Sequence, residues 1–155
     1  MPLIGLMISH TKVSDLSPLR GMKLEMLNGS ETKIADLSPL AGMPLKRLYL
    51  SSDKDVSDLR PLKGMPLETL HIAHTKVTDI AVLTGMPLRE LNLLSSRVRD
   101  IALLAEIPTL VELALPSDAI NVDALRHLPN LKRIGYEYGQ FSSPAEFWAR
   151  YDAHK

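Results

Sequence analysis

The chain has 155 residues, of which 45% are hydrophobic and 23% are charged, a composition typical of one folded domain rather than of a disordered segment. Its 18 basic residues balance its 18 acidic residues, so the net charge indicates neither a nucleic-acid partner nor a membrane partner. Cysteine is absent, which excludes disulfide bonds and thiolate chemistry.

The first residues, MPLIGLMISH, are apolar but lack the basic region of a signal peptide. No apolar run in the chain approaches the roughly 18 residues that a membrane-spanning helix needs. These features leave the location of the protein open and favour the cytoplasm over an extracellular site.

A leucine pattern, L-x-x-L-x-L, returns about every 21 residues along the chain. Within each unit the apolar residues alternate with an outward residue, which predicts a short β-strand. Regular recurrence at this period is typical of a repeat protein whose units stack on one another. The units begin at Leu3, Leu24, Leu45, Leu67, Leu88 and Leu110, with a partial seventh at Leu131.

A second phrase, TKVSDLSPL and its variants, follows each predicted strand. Its branched residue is expected to point inward, at Val13, Ile34, Val56, Val77, Val98 and Ile120. Its proline suits the first turn of a helix, where a missing N–H costs nothing. Its glycine suits the exit from that turn, and the methionine after the glycine is expected to fill the core. A unit of this length leaves room for only a short 3₁₀ turn on the convex side.

An aspartate occupies the same slot in every unit, at Asp15, Asp36, Asp58, Asp79, Asp100 and Asp123. A carboxylate just before a helical turn accepts hydrogen bonds from backbone N–H groups two or three residues on. A ladder of cation sites is the alternative, but each repeat offers one acid where hard cations need six or more oxygens. We therefore expect these aspartates to be structural caps.

A second polar column precedes the branched residues, at Thr11, Thr32, Asp53, Thr75, Ser96 and Asp118. Short polar groups in this slot can bond to neighbouring backbone and connect one turn to the next. We expect a structural role for this column as well.

The two ends of the chain differ. Ser143, Pro144 and Glu146 form a capping-box pattern, which predicts a short helix whose aromatic residues cover the last coil or, as the alternative, bind a partner. No polar cap precedes Leu3. We expect either that the chain is a segment of a longer protein or that its first coil docks on a second copy.

Sequence motifs for nucleotide binding, nucleophilic catalysis and metalloprotease zinc sites are absent. The pair His71 and His74 lacks a third ligand nearby and is a weak zinc signal. We therefore predict no catalytic residue, no cofactor and no metal.

The residues that the strands present outward form the predicted partner-binding surface. Tyr49, His71 and Asn92 hold one slot on consecutive coils and should lie about 5 Å apart. The alternative is that these side chains are merely solvated. By the same register Met7, Met26 and Leu94 also point outward as candidate apolar contacts, unless the register slips near Gly29. The predicted binding residues are Arg47, Tyr49, His71, His74, Glu90, Asn92 and Glu112.

The phrases TKVSDLSPL and LRPLKGMPL resemble a short bacterial leucine-rich repeat. The ending LPNLKRIGYEYGQFSSPAEFWARYDAHK, residues 128–155, is similar to the C-terminal segments of large planctomycete-type proteins, often serine/threonine protein kinases. The resemblance implies a repeat module for protein interaction or ligand sensing. An insertion near Asp53, and Glu106 and His127 in place of glycine, depart from the repeat and leave the curvature of the second half open.

Together these patterns predict an α/β leucine-rich-repeat solenoid, with parallel strands on its concave face and short 3₁₀ turns on its convex face. Residues 1–128 are expected to form six coils, and residues 129–155 the partial last coil and a capping helix of the same domain. The expected function is non-enzymatic recognition of a protein or peptide by the concave strands. The alternative is self-assembly, in which a homodimer forms through the uncapped N-terminal coil.

Overall fold

Seven short strands form one open sheet in the computed structural model, which describes residues 3–137 and 139–154. Each strand pairs in parallel with the next strand along the chain, because each coil places its strand beside that of the coil before it. The strands are β1 Gly5–Met7, β2 Met26–Asn28, β3 Arg47–Tyr49, β4 Thr69–His71, β5 Glu90–Asn92, β6 Glu112–Ala114 and β7 Arg133–Gly135.

The register of the sheet is the same at every step, so equivalent repeat positions lie side by side. The register does not slip at Gly29, because Met26 pairs with Arg47 and Asn28 with Tyr49. A Cβ at residue 29 would lie 2.7 Å from Cδ1 of Ile34, which explains the glycine at this buried position. The middle residue of every strand points inward, as Leu6, Leu27, Leu48, Leu70, Leu91, Leu113 and Ile134.

In the described part of the chain, six 3₁₀ segments form the convex side, as the repeat length predicted. The prolines of the first three occupy the first turn, and the glycines that follow adopt the left-handed backbone that glycine tolerates, as at Gly21 with φ 80°. The segments are Ser17–Leu19, Ser38–Leu40, Arg60–Leu62, Ala81–Leu83, Ala102–Glu106 and Val122–His127.

The core is a continuous column of leucine, isoleucine, valine and methionine side chains. Met43, Met65 and Met86 are at most 5% exposed, which confirms that methionine fills the corner in three coils, whereas Met22 in the first coil is only partly buried. The first coil is buried less well than the others, because Leu6 and Ile8 are only partly covered.

In five coils the aspartate column accepts a backbone hydrogen bond at the start of the convex turn, as predicted, although each aspartate lies one residue before the N-cap position, which a leucine or isoleucine holds. In the first, Oδ1 of Asp15 accepts a hydrogen bond from the backbone N–H of Ser17 at 2.8 Å. The same bond, from the residue two positions on, recurs at Asp36, Asp58, Asp79 and Asp100. These bonds satisfy N–H groups that a short helical turn leaves without partners.

The prediction was wrong in the sixth coil. Asp123 lies inside the 3₁₀ segment Val122–His127, where its Oδ1 accepts from Nε of Arg126 at 2.9 Å. Ile120 is 52% exposed rather than inward, and Val122, which is 1% exposed, takes the interior place. Asp118 is exposed and pairs with the guanidinium of Arg99 on the preceding coil, so it links two turns through side chains rather than through the predicted bond to backbone.

Helix α1, Pro144–Ala153, closes the C-terminal end. Ser143 and Glu146 form the predicted capping box, and Phe147 is 6% exposed against the core. Ile134 and Ser142 exchange two backbone hydrogen bonds of 3.0 Å, so a returning segment covers the free edge of β7. Within residues 3–137 and 139–154, no helix has the length and apolar character needed to cross a bilayer.

Candidate functional site: the concave strand face

The side chains that point out of the sheet form two parallel rows, which together we call the concave face. The first row holds Gly5, Met26, Arg47, Thr69, Glu90, Glu112 and Arg133. The second row holds Met7, Asn28, Tyr49, His71, Asn92, Ala114 and Gly135. Neighbours within a row are about 4.8 Å apart, the spacing of paired strands.

Tyr49 and His71 form an aromatic pair at the centre of the second row. Their ring centroids are 4.9 Å apart and the planes meet at 79°, an edge-to-face contact. Burial lowers the pKa of His71 below its usual 6.5, and the nearby carboxylate of Glu90 opposes this shift. The imidazole is therefore neutral at pH 7 and the pair presents an uncharged, half-buried aromatic surface.

The first row places opposite charges on either side of this pair. Arg47 is exposed and Glu90 is half-buried, with the buried Thr69 between them. Within residues 3–137 and 139–154, neither Arg47 nor Glu90 forms an ion pair within 4 Å. The backbones that carry this positive and this negative side chain thus lie about 10 Å apart, two strand spacings.

Glu112 differs from Glu90 because it has a cationic partner. Its carboxylate pairs with the guanidinium of Arg133 on β7 and is 12% exposed. Burial raises the pKa of Glu112, Arg133 opposes that shift, and the like charge of Glu90 adds to it. Arg133 also lies 5.9 Å from the ring of Phe141, so Glu112 belongs to a local network at the C-terminal end of the row.

Asn92 is 6% exposed and its side-chain oxygen accepts from the backbone N–H of Leu94 at 3.1 Å. Asn28 makes the same bond to Ser30, also at 3.1 Å. An asparagine in this slot therefore holds the turn that follows its strand. This use of the side chain explains the residue type at position 92 without reference to a partner.

His74 lies beyond the end of β4, in the turn rather than in either row. It has φ 57°, and the equivalent turn residues of other coils share this left-handed backbone. Two of them, His10 and Glu31, contact each other across adjacent coils, with Nδ1 and Oε2 3.1 Å apart. Left-handed backbone is uncommon for residues other than glycine, so these turns hold their side chains at a fixed rim of the face.

The weak zinc signal of the sequence is the pair His71 and His74. In the described part of the chain, no group of three or more His, Asp or Glu side chains has a metal-binding arrangement. Zinc sites need three or four protein ligands.

The solved structures that are similar to this chain include two internalins. An internalin of Listeria monocytogenes, InlF, superposes with a TM-score of 0.76 at 26% identity over 85% of this chain and 41% of the internalin. Internalin C2 of the same organism superposes with a TM-score of 0.63 at 26% identity over 86% of this chain and 70% of that protein. The fold is a leucine-rich-repeat solenoid. The chain spans less than half the length of InlF.

No protein-family model matches the sequence, and no curated protein matches it. The internalins show what the solenoid resembles in three dimensions.

One feature of the solenoid was not predicted from the sequence. Residues 140–142 fold over the last strand, so that a Cβ at residue 135 would lie 2.9 Å from the carbonyl oxygen of Gln140. Gly135 is the second-row residue of β7, and the returning segment covers it. The one available signal was the glycine itself, in a slot where the other strands of the row carry a side chain.

Proposed function

We propose that the chain is a non-enzymatic module that recognises a protein or peptide through its concave face. The observation that supports the proposal is the exposed first-row charge of Arg47 and the half-buried aromatic pair of Tyr49 and His71 beside it. Tyrosine and arginine are enriched at the energetic centres of interfaces. Because the strands already hold these side chains, little conformational entropy would be lost when a partner docks.

The charges on the face define the chemistry that a partner would need. An acidic group of the partner would pair with Arg47 and a basic group would pair with Glu90, about 10 Å away. An apolar or aromatic group between them would cover Tyr49 and His71. Charge complementarity of this kind mainly governs association rate and orientation.

A peptide library displayed on phage, selected against the intact chain, tests the proposal. We expect selected peptides to bind a Tyr49→Ala/His71→Ala variant at least about tenfold more weakly, the loss expected from an interface centre. The matched control is Lys63→Ala, since Lys63 is exposed on the convex side. Equal binding of the selected peptides to both variants would contradict a concave site. Asn92 is left unchanged because its loss would disturb the turn.

Self-assembly through the first coil is a second candidate function, favoured by exposed apolar side chains there. Leu3, Ile4 and Met7 are 50%, 59% and 68% exposed. In this proposal a second copy covers these residues. Light scattering during gel filtration would then report a dimer for the wild type and a monomer for Ile4→Glu. A monomer in both samples would eliminate this candidate.

We also propose that the module acts beside another domain, as in the kinase-type bacterial proteins that its ending resembles. The support is the resemblance of residues 128–155, noted from the sequence, to the closing segments of such proteins. The complete reading frame of the gene tests this idea. A frame that encodes no further domain would contradict it.

A further inference from the structure

An open cavity of about 610 Å³ lies between β7, the loop that follows it and helix α1. We call it the C-terminal cavity; its lining includes Tyr136, Glu137, Phe147, Arg150 and Tyr151. Cavities of roughly 300–1000 Å³ with apolar walls and a few polar groups are typical of small-molecule sites. Gly135, at the end of the concave face, is part of its lining, but Arg47, Tyr49, His71 and Glu90, on which the proposed partner site depends, are not.

Three aromatic rings form the apolar wall of the cavity. The ring of Phe147 lies 5.4 Å from that of Tyr136 and 6.2 Å from that of Tyr151, where the two planes differ by 12°. Burial raises the pKa of Tyr136, and Tyr151 adds to the shift. The phenol therefore stays neutral at pH 7, and the wall offers aromatic surface without an anion that would repel a carboxylate.

Arg150 supplies a fixed cation at the same cavity. Its Nη2 donates a hydrogen bond to Oγ of Ser142 at 2.6 Å, which holds the guanidinium against the cavity. Among residues 3–137 and 139–154, it forms no ion pair within 4 Å, although the more distant carboxylate of Glu146 interacts with it electrostatically. A guanidinium has five N–H donors in a planar fork that matches a carboxylate, so the remaining donors are suited to an anionic ligand group.

The other charged groups limit the ligand further. Glu137 also lines the cavity, and its carboxylate would repel a second anionic group on the same molecule. His154 lies at the rim, with Nδ1 2.7 Å from the backbone oxygen of Arg150. The side chains thus favour one negative charge at Arg150 and an uncharged remainder against the rings.

We propose that the C-terminal cavity binds a small apolar monocarboxylate. Its ring or alkyl chain packs against Phe147, Tyr136 and Tyr151, and its carboxylate pairs with the guanidinium of Arg150. A neutral apolar ligand would use the same wall but leave Arg150 without an anion, so the charge of the ligand separates the two possibilities.

The chain contains a natural reporter for this site. Trp148 is its only tryptophan, and its ring lies 5.0 Å from Phe147 and 5.6 Å from Tyr151. The probe is 4-phenylbutanoate, and the matched neutral compound is 4-phenylbutan-1-ol. We expect saturable change in tryptophan fluorescence with the carboxylate and binding about tenfold weaker for the alcohol, the difference that one charge-assisted hydrogen-bonded pair provides.

Two variants locate the charge. Arg150→Gln should bind the carboxylate about tenfold more weakly and the alcohol as the wild type does. Arg97→Gln, at an exposed residue outside the cavity, should bind both probes like the wild type. Thermal melting of each variant shows that the fold is kept. The proposal is overturned if neither probe binds at millimolar concentration, if both bind equally, or if Arg150→Gln binds the carboxylate with unchanged affinity.

Discussion

Oδ1 of Asp53 accepts two hydrogen bonds from Thr32 of the preceding coil, one from its backbone N–H and one from its hydroxyl, each 2.8 Å long. The side chain of Asp53 is fully buried, and Oδ2 has no partner among the described residues. Burial raises the pKa of this carboxyl above 3.8, although the bonds from Thr32 lower it. The same carboxylate thus links two coils and carries a charge that the interior disfavours.

Replacing Asp53 with asparagine should keep an oxygen that accepts the hydrogen bonds from Thr32 and remove the group that titrates. A carboxyl whose pKa is raised by folding contributes most to stability below its unfolded pKa, and that contribution is lost as the pH rises through the folded pKa. We therefore expect the stability of Asp53→Asn, relative to wild type, to improve from pH 4 to pH 7. Urea unfolding at several pH values measures the difference. If the difference in unfolding free energy between Asp53→Asn and the wild type did not change with pH, the pKa of Asp53 would not be raised by folding.

The repeat predicted most of the fold because each slot occurs several times with one spacing. The equivalent positions of three consecutive repeats hold Leu27, Leu48 and Leu70, and this recurrence alone identifies the row of side chains that faces the interior. The sixth coil shows where this reasoning fails. Its aspartate follows Asp100 by 23 residues, and the extra length places Val122 inside and Ile120 outside.

The site was harder to predict than the fold. A period-two pattern identifies outward residues, but it does not say what each side chain bonds to. Asn92 occupies an outward slot, yet its oxygen holds the backbone of Leu94. The segment that covers Gly135 has no repeat period, so it could not be aligned with the other coils.

Asp58 should titrate at a lower pH than an ordinary aspartate. Its carboxylate accepts hydrogen bonds from the guanidinium of Arg60, which is the larger cause, and from the backbone N–H of Arg60. Together these bonds lower the pKa of Asp58 to about 2. Arg60→Gln removes the first of these causes and keeps the second. We expect the pKa of Asp58 to rise in this variant, as measured by NMR titration of its carboxyl carbon.

Asp36 is the internal control for that titration. Its pKa is lowered by the backbone and side chain of Ser38, so Arg60→Gln should not alter it. An unchanged pKa at Asp58 would mean that the guanidinium does not hold the carboxylate in solution.

His71 should have a pKa below 6.5, because burial disfavours its charged form. Tyr49 packs against its ring, so Tyr49→Ala should expose the imidazole and raise its pKa toward 6.5. NMR titration of the histidine ring carbons measures this change. Tyr136→Ala, a substitution in the C-terminal cavity, is the matched control and should leave the titration of His71 as it is. An unchanged pKa of His71 in Tyr49→Ala would show that Tyr49 does not shield the imidazole.

A leucine in the middle of the solenoid should matter more than its equivalent in the first coil. Leu70 is 0% exposed, whereas Leu6 is only partly buried. Leu70→Ala should lower the free energy of unfolding by about 3 kcal/mol, the usual cost of such a cavity, and Leu6→Ala by clearly less. Urea unfolding of the two variants tests the comparison. Equal losses would show that the first coil is as well packed as the fourth.

The capping box of α1 should stabilise the C-terminal end specifically. Ser143 donates its hydroxyl and its backbone N–H to Oε2 of Glu146, at 2.8 and 3.0 Å, and its Oγ accepts from the N–H of Glu146 at 3.4 Å. Ser143→Ala removes the hydroxyl, and the loss of an N-cap costs about 1 kcal/mol. Because repeat proteins distribute stability among neighbouring units, hydrogen exchange should accelerate in Pro144–Ala153 and stay unchanged in β1. Ser9→Ala, in the first coil, is the control substitution. Faster exchange throughout the chain would show instead that the helix and the repeats unfold as one unit.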